Sequence, residues 1–143
     1  MVTHSNVGAQ SERTSKVRSF EDLEVWQLGK ELTVLAYEIA RYLPDSEAYG
    51  LGSQIKRAAL SIPANIAEGF GRYHYLDRIK FFLNARGSLN ELKSRLLIGK
   101  ELGFFRDAQI EPTLQGIENL SIKLNNLITA TRRTQKKEKR YSR

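Results

Sequence analysis

Residues 51–70 read LGSQIKRAALSIPANIAEGF, and two stripes run through them side by side. Leu51, Ile55, Ala58, Ile62, Ile66 and Phe70 recur at three- and four-residue spacing, the period of one face of an α-helix. Gln54, Arg57, Ser61, Asn65 and Glu68 keep the same spacing about 100° around the axis. A plainly solvated face would be richer in Lys and Glu; Gln, Ser and Asn are mediocre helix formers that compete for backbone hydrogen bonds. Pro63 sits among them. It cannot donate to the Ala59 carbonyl and its ring crowds that turn, so the spacing predicts a kinked helix. The polar stripe has two readings. In one, Ser61 and Asn65 bond the broken turn while Arg57 pairs with a carboxylate on another helix or subunit. In the other, the stripe touches a ligand or nucleic acid. Buried polar groups need partners either way.

Outward from this run, periodicity gives three more helices and no strand. The first is expected over Phe20–Leu43, with Val25, Leu28, Leu32, Leu35, Ile39 and Leu43 on one face, Ser19 as N-cap and Asp22 completing a capping box. Pro44 ends it, and Asp45 and Ser46 offer caps for the helix quoted above, expected from about Glu47 to Phe70 and stopped by Gly69 and Gly71. The third spans about Tyr75–Leu102 on Ile79, Phe82, Ala85, Leu89, Leu92 and Leu96, with Gly103 as C-cap. Its small midsection (Ala85, Gly87, Ser88) suggests close approach by a neighbour, since Gly in a helix costs about 1 kcal/mol against Ala. The fourth spans about Asp107–Thr131 on Ile110, Leu114, Ile117, Leu120, Leu124 and Leu127, with Pro112 near its start. Matched helices with short connections favour an all-α, up-down-up-down four-helix bundle over residues 20–131. Residues 1–19 read as a disordered polar segment. Residues 132–143 read as a basic tail, either disordered or extending the last helix.

The 143 residues are one domain's worth, and 41% hydrophobic content is enough for a core. Net charge is +7, with 23 Lys and Arg against 16 Asp and Glu. It is unevenly placed: +2 in 1–19, −5 in 20–55, +6 in 56–106, −2 in 107–131 and +6 in 132–143, so the bundle itself is near neutral. No cysteine is present, which excludes disulfides, thiolate metal sites and a thiol nucleophile. No apolar run approaches the ~20 residues of a membrane span, and the polar N-terminus has no secretory h-region. A soluble, cytoplasmic protein is expected.

Catalytic equipment is sparse. The two histidines are His4 and His74, the latter in a turn, and neither belongs to a metal-ligand spacing. Gly69-Phe70-Gly71 follows a helix rather than a strand and lacks a third Gly, so it reads as a helix stop and not a phosphate loop. There is no G-x-S-x-G and no Walker motif. An enzyme built on Arg57, Asn65 and Glu68 is disfavoured, and the expectation is a non-enzyme without cofactor or metal.

The run from Tyr49 to Gly69 resembles the signature of the bacterial four-helix bundle proteins, also called 23S ribosomal RNA intervening-sequence proteins and, for some, S23 ribosomal proteins. Phe20-Glu-Asp-Leu23-Glu-Val25-Trp26-Gln27, Leu43-Pro44 with Glu47, and Ala85-Arg86-Gly87-Ser88-Leu89-Asn90-Glu91-Leu92 fit it in order, over roughly residues 20–105. The resemblance implies a bundle assembling as a homopentameric barrel. It also implies kinship with the accessory variability determinants of diversity-generating retroelements, which bind a reverse transcriptase and nucleic acid through basic surfaces.

Two functions are then expected. One is sequence-nonspecific binding of RNA or DNA by Lys56, Arg57, Arg72, Arg78, Lys80, Arg86, Lys93, Arg95, Lys100 and Arg106, together with Arg132, Arg133, Lys136, Lys137, Lys139 and Arg140 of the tail. Tyr73 and Tyr75 beside Arg72 either stack on bases or pack in the turn. The other is a protein–protein scaffold, in which the acidic first helix pairs with the basic middle segment across subunit interfaces.

Overall fold

A computed structural model describes residues 17–141. Among them are four α-helices and no strand: α1 Glu24–Ala40, α2 Leu51–Phe70, α3 Tyr75–Glu101 and α4 Asp107–Tyr141. Each packs on its neighbour in sequence and α4 returns to α1, so the helices close a ring, with the α2–α3 interface the most extensive. The ring encloses Ile55, Ile62 and Ile66 of α2, Leu89, Leu92 and Leu96 of α3, and Ile110, Leu120, Leu124 and Ile128 of α4, all essentially inaccessible. The apolar stripes on α2 and α3 face this core as expected. On α1, Val25, Leu32 and Ile39 are buried while Leu28, Leu35 and Leu43 pack at its margin.

The ends of α1 and the start of α2 differ from expectation, each for a local reason. Ser19 does cap: its Oγ accepts Glu21 N at 3.2 Å, and Asp22 Oδ2 accepts the amides of Arg18 and Ser19. But the capping box closes a 3₁₀ turn, Phe20–Asp22, after which Leu23 is extended. That break folds Phe20 onto Trp26, edge to face at 5.0 Å, and lets Gln27 Nε2 donate to Glu21 O. The other end of α1 tightens into i→i−3 bonds from Arg41, Tyr42 and Leu43 before Pro44. Asp45 and Ser46 do not cap α2. They lie in a second 3₁₀ turn, Asp45–Glu47, and Glu47 caps α2 by accepting Leu51 N on its carboxylate at 3.2 Å.

α2 runs as one helix through Pro63. The freed Ala59 carbonyl is met from α1, where the Thr33 hydroxyl lies 3.1 Å from it and 2.9 Å from Gly29 O, sharing one proton between them. Neither Ser61 nor Asn65 performs that repair.

Close approach explains other glycines than the one expected. A Cβ at Gly87 would meet nothing within 4 Å, whereas one at Gly69 would lie 2.7 Å from the Phe82 ring. Gly69 is therefore a packing residue within α2 and not its stop. At the end of α3, Gly103 has φ 86°, a left-handed turn that only Gly adopts cheaply. Gly103 N bonds Lys100 O and Phe104 N bonds Gly99 O, the paired bonds of a Schellman cap.

The largest departure is the length of α4. It does not stop at Thr131 but runs to Tyr141, about 52 Å in all. The residues beyond 131 that the structure describes are thus helical. The expectation of a disordered segment over residues 1–19 lies outside the described residues for 1–16, and Arg18 and Ser19, which are described, donate their amides to Asp22.

Candidate nucleic-acid interface

The polar stripe of α2 does not act as one unit. Ser61 and Asn65 are half-buried and turned to structural use: Asn65 Nδ2 donates to Ser61 O (2.8 Å) and Oγ (2.9 Å). Ser88 Oγ of α3 donates to Ser61 Oγ at 2.8 Å, with Asn84 O 3.2 Å away as a second acceptor. This network joins α2 to α3 across their interface. Glu68 points outward and forms an ion pair with Arg72, one helical turn on. Gln54 is half-buried; Arg57 is exposed and has no carboxylate partner among the described residues.

The basic residues of the middle segment are scattered over α2 and α3, and several are already engaged. Lys56 lies over the Tyr37 ring and Arg86 donates to Asn125 Oδ1 of α4. Lys100 pairs with Asp107 at 2.6 Å, and that carboxylate raises the Lys100 pKa by stabilising the charged ammonium. Arg72 is neutralised by Glu68 and covers the Phe81 ring. Lys80 and Lys93 are exposed, as is Arg106, whose backbone amide donates to Gln109 Oε1. Arg95 is half-buried, its Nε lacking a partner.

The tail of α4 is different. Beyond Thr131 the core-facing stripe continues through Gln135 and Glu138 at three- and four-residue spacing but becomes polar. Opposite it, Arg132, Arg133, Lys136, Lys137 and Arg140 fall within about 140° of the helix circumference. All five are exposed, and none has a carboxylate partner among the described residues. Arg133, Lys136, Lys137 and Arg140 border one shallow depression of about 250 Å³.

A side-chain hydrogen bond ties this extension of α4 to the start of α3. The Tyr75 hydroxyl, at the start of α3, donates to Glu138 Oε1 at 2.9 Å, and the carboxylate it faces pushes the phenol above its ordinary pKa. The tail of α4 and the α2–α3 corner therefore form one end of the molecule, with a groove of about 720 Å³ between them. Arg78 stands in it, its Nε donating to Arg72 O and its guanidinium over the Tyr75 ring at 5.1 Å. The two tyrosines of the corner part company: Tyr75 is half-buried and tethered, while Tyr73 is 84% exposed. Sequence reasoning missed Thr33, Ser88 and the Tyr75–Glu138 contact. Only the last leaves a trace in the sequence, and a faint one: the α4 spacing continues past Thr131 in polar residues, Gln135 and Glu138.

Among the described residues no group of three or more His, Asp or Glu side chains is placed to hold a metal ion, and no helix is long and apolar enough to cross a membrane. A family model described as 23S rRNA-intervening sequence protein matches residues 21–126. No curated protein matches the chain.

Proposed function

The chain belongs to the 23S rRNA-intervening sequence protein family, and from that premise we propose that it is a non-enzymatic, homo-oligomeric accessory protein of the cytoplasm that binds nucleic acid without reading its sequence. The observation that carries this reading is the row of five exposed cations on one face of the α4 extension, unpaired with any carboxylate among the described residues. Cations so arranged attract phosphates by displacing counterions, and none is built to read a base edge. RNA, DNA and a nucleic acid held by a reverse transcriptase are the partners this chemistry admits. We read the ring of helices as an up-down-up-down bundle and the assembly as a homopentamer. Exposed Val34, Tyr37 and Leu60 on α1 and α2, and Leu97, Ile98 and Leu102 toward the end of α3, are apolar surface that self-association would cover.

Titration of labelled 12-nucleotide RNA and DNA at 50 mM and 200 mM salt tests the binding, and light scattering tests the assembly. Affinity that falls steeply with salt is expected; no affinity at 50 mM salt refutes the binding. Glu24 already pairs with Lys123 of the same chain at 3.1 Å. A second reading, a scaffold without nucleic acid, is favoured by Glu31 and Glu38, which stand exposed seven residues apart along α1 with no basic partner among the described residues. These would face basic residues of a neighbouring copy. It predicts an oligomer of unchanged mass across the same salt range and no retained oligonucleotide.

A further inference from the structure

The groove between the α2–α3 corner and the α4 extension differs in kind from the cationic face beside it. Arg78 and Lys139 on its walls are balanced by Asp77 and Glu138, so it is close to neutral and poorly suited to a phosphate. What it offers is aromatic surface. Tyr73 stands 84% exposed at its mouth, braced by the His74 ring edge to face at 5.1 Å and 90°. Gln135 on the opposite wall carries an amide that both donates and accepts. The Tyr75–Glu138 hydrogen bond holds the two walls together. Lys136 and Lys137 follow Gln135 directly, so the cationic face begins within one helical turn of the groove.

We propose that this groove receives an unpaired base stacked on Tyr73, while the cations of the α4 extension hold the adjoining phosphates, so that the protein prefers single-stranded to duplex nucleic acid. The proposal rests on the nucleic-acid-binding reading above and names its substrate class. A duplex keeps its bases stacked inside and presents only phosphates to the cations; a single strand can turn a base outward. Stacking tolerates any base, because every base has a π-face, so the preference is for strandedness and not for sequence.

The test uses the full chain and four labelled 12-mers at 50 mM salt: single-stranded RNA, single-stranded DNA, duplex DNA, and a DNA strand with abasic sites at its centre. Tyr73 is 84% exposed and packs its ring edge to face on His74, outside the core, so Tyr73→Ala is expected to leave the fold intact, which circular dichroism verifies. The expected result is tighter binding of the intact single strands than of the duplex or the abasic strand. Tyr73→Ala weakens the intact single strands about tenfold, in the range one stacked base contributes, and leaves the duplex and abasic strands unchanged. Tyr73→Phe retains the preference. A gain confined to RNA or to DNA supports the groove and identifies the sugar it accepts. Equal, salt-sensitive binding of all four 12-mers, indifferent to Tyr73→Ala, overturns the groove and leaves the cationic face standing. Absence of binding by any strand overturns both.

Discussion

Replacing Arg132, Arg133, Lys136, Lys137 and Arg140 by Gln removes the cationic face of α4 and preserves the helix, because Gln is nearly as good a helix former as Lys or Arg. From residue 132 to 140 the helix rises about 12 Å, a length over which duplex DNA presents about seven phosphate charges. Five cations are thus well matched to the polyanion. If each neutralises one phosphate, the logarithm of affinity falls with the logarithm of salt at a slope of about −4.5 on duplex and about −3.5 on single strands, per chain engaged. Between 50 and 200 mM salt this amounts to a loss of about 500-fold or about 100-fold, respectively. The Gln variant is expected to bind weakly at 50 mM and to lose almost all of that salt dependence. Fluorescence anisotropy over a salt series reads both quantities. A variant with the slope of the parent would refute the assignment of phosphates to α4 and move it to the scattered cations of α2 and α3, such as Arg57, Lys80 and Lys93.

Other substitutions test the fold and the tether. Gly87→Ala, in open space on a helix, is expected to stabilise by about 1 kcal/mol, whereas Gly69→Ala, which drives a methyl into the Phe82 ring, destabilises by about 1–3 kcal/mol; urea midpoints order the two around the parent. Thr33→Val orphans the Ala59 carbonyl and costs about 1–3 kcal/mol, and adding Pro63→Ala, which restores a backbone donor to that carbonyl, recovers part of the loss; simple additivity in a double-mutant cycle argues against the repair. Tyr75→Phe is expected to speed hydrogen exchange across residues 132–141 without moving the thermal midpoint of the bundle. Because the folded pKa of Tyr75 lies above the ordinary 10.0, its contribution is full below that value and vanishes as pH rises through the raised one. Tyrosinate absorbance should therefore show a late-ionising phenol that Tyr75→Phe deletes.

The sequence displays the bundle because Ile55, Ile62, Ile66, Leu89, Leu92 and Leu96 obey a helical period and sit in the core. It hides Thr33, since a lone Thr on α1 gives no sign that it faces a carbonyl 26 residues away. Helix ends were obscured for a similar reason: Ser19 and Asp22 make the expected cap, but whether a 3₁₀ turn or an α-helix follows depends on Phe20 finding Trp26. Of the candidate site, the basic cluster at 132–140 was plain in composition. Its arrangement on one face follows only once α4 is known to continue, and that continuation is masked by the change from Leu124 and Ile128 to Thr131, Gln135 and Glu138. Periodicity is usually read in apolar residues, so a stripe that turns polar looks like an end.

That turn from apolar to polar also separates the energetics of the extension from those of the bundle. Residues 132–141 bury no large apolar side chain, so they can unwind without opening the core. Arg132 and Lys136, Lys136 and Arg140, and Arg133 and Lys137 stand one turn apart, and each like-charged pair of this kind costs an isolated helix about 0.2–0.5 kcal/mol. A bound polyanion removes that mutual repulsion. Helicity of the last ten described residues and occupancy by an anion are therefore linked quantities: whatever strengthens one must strengthen the other by the same free energy.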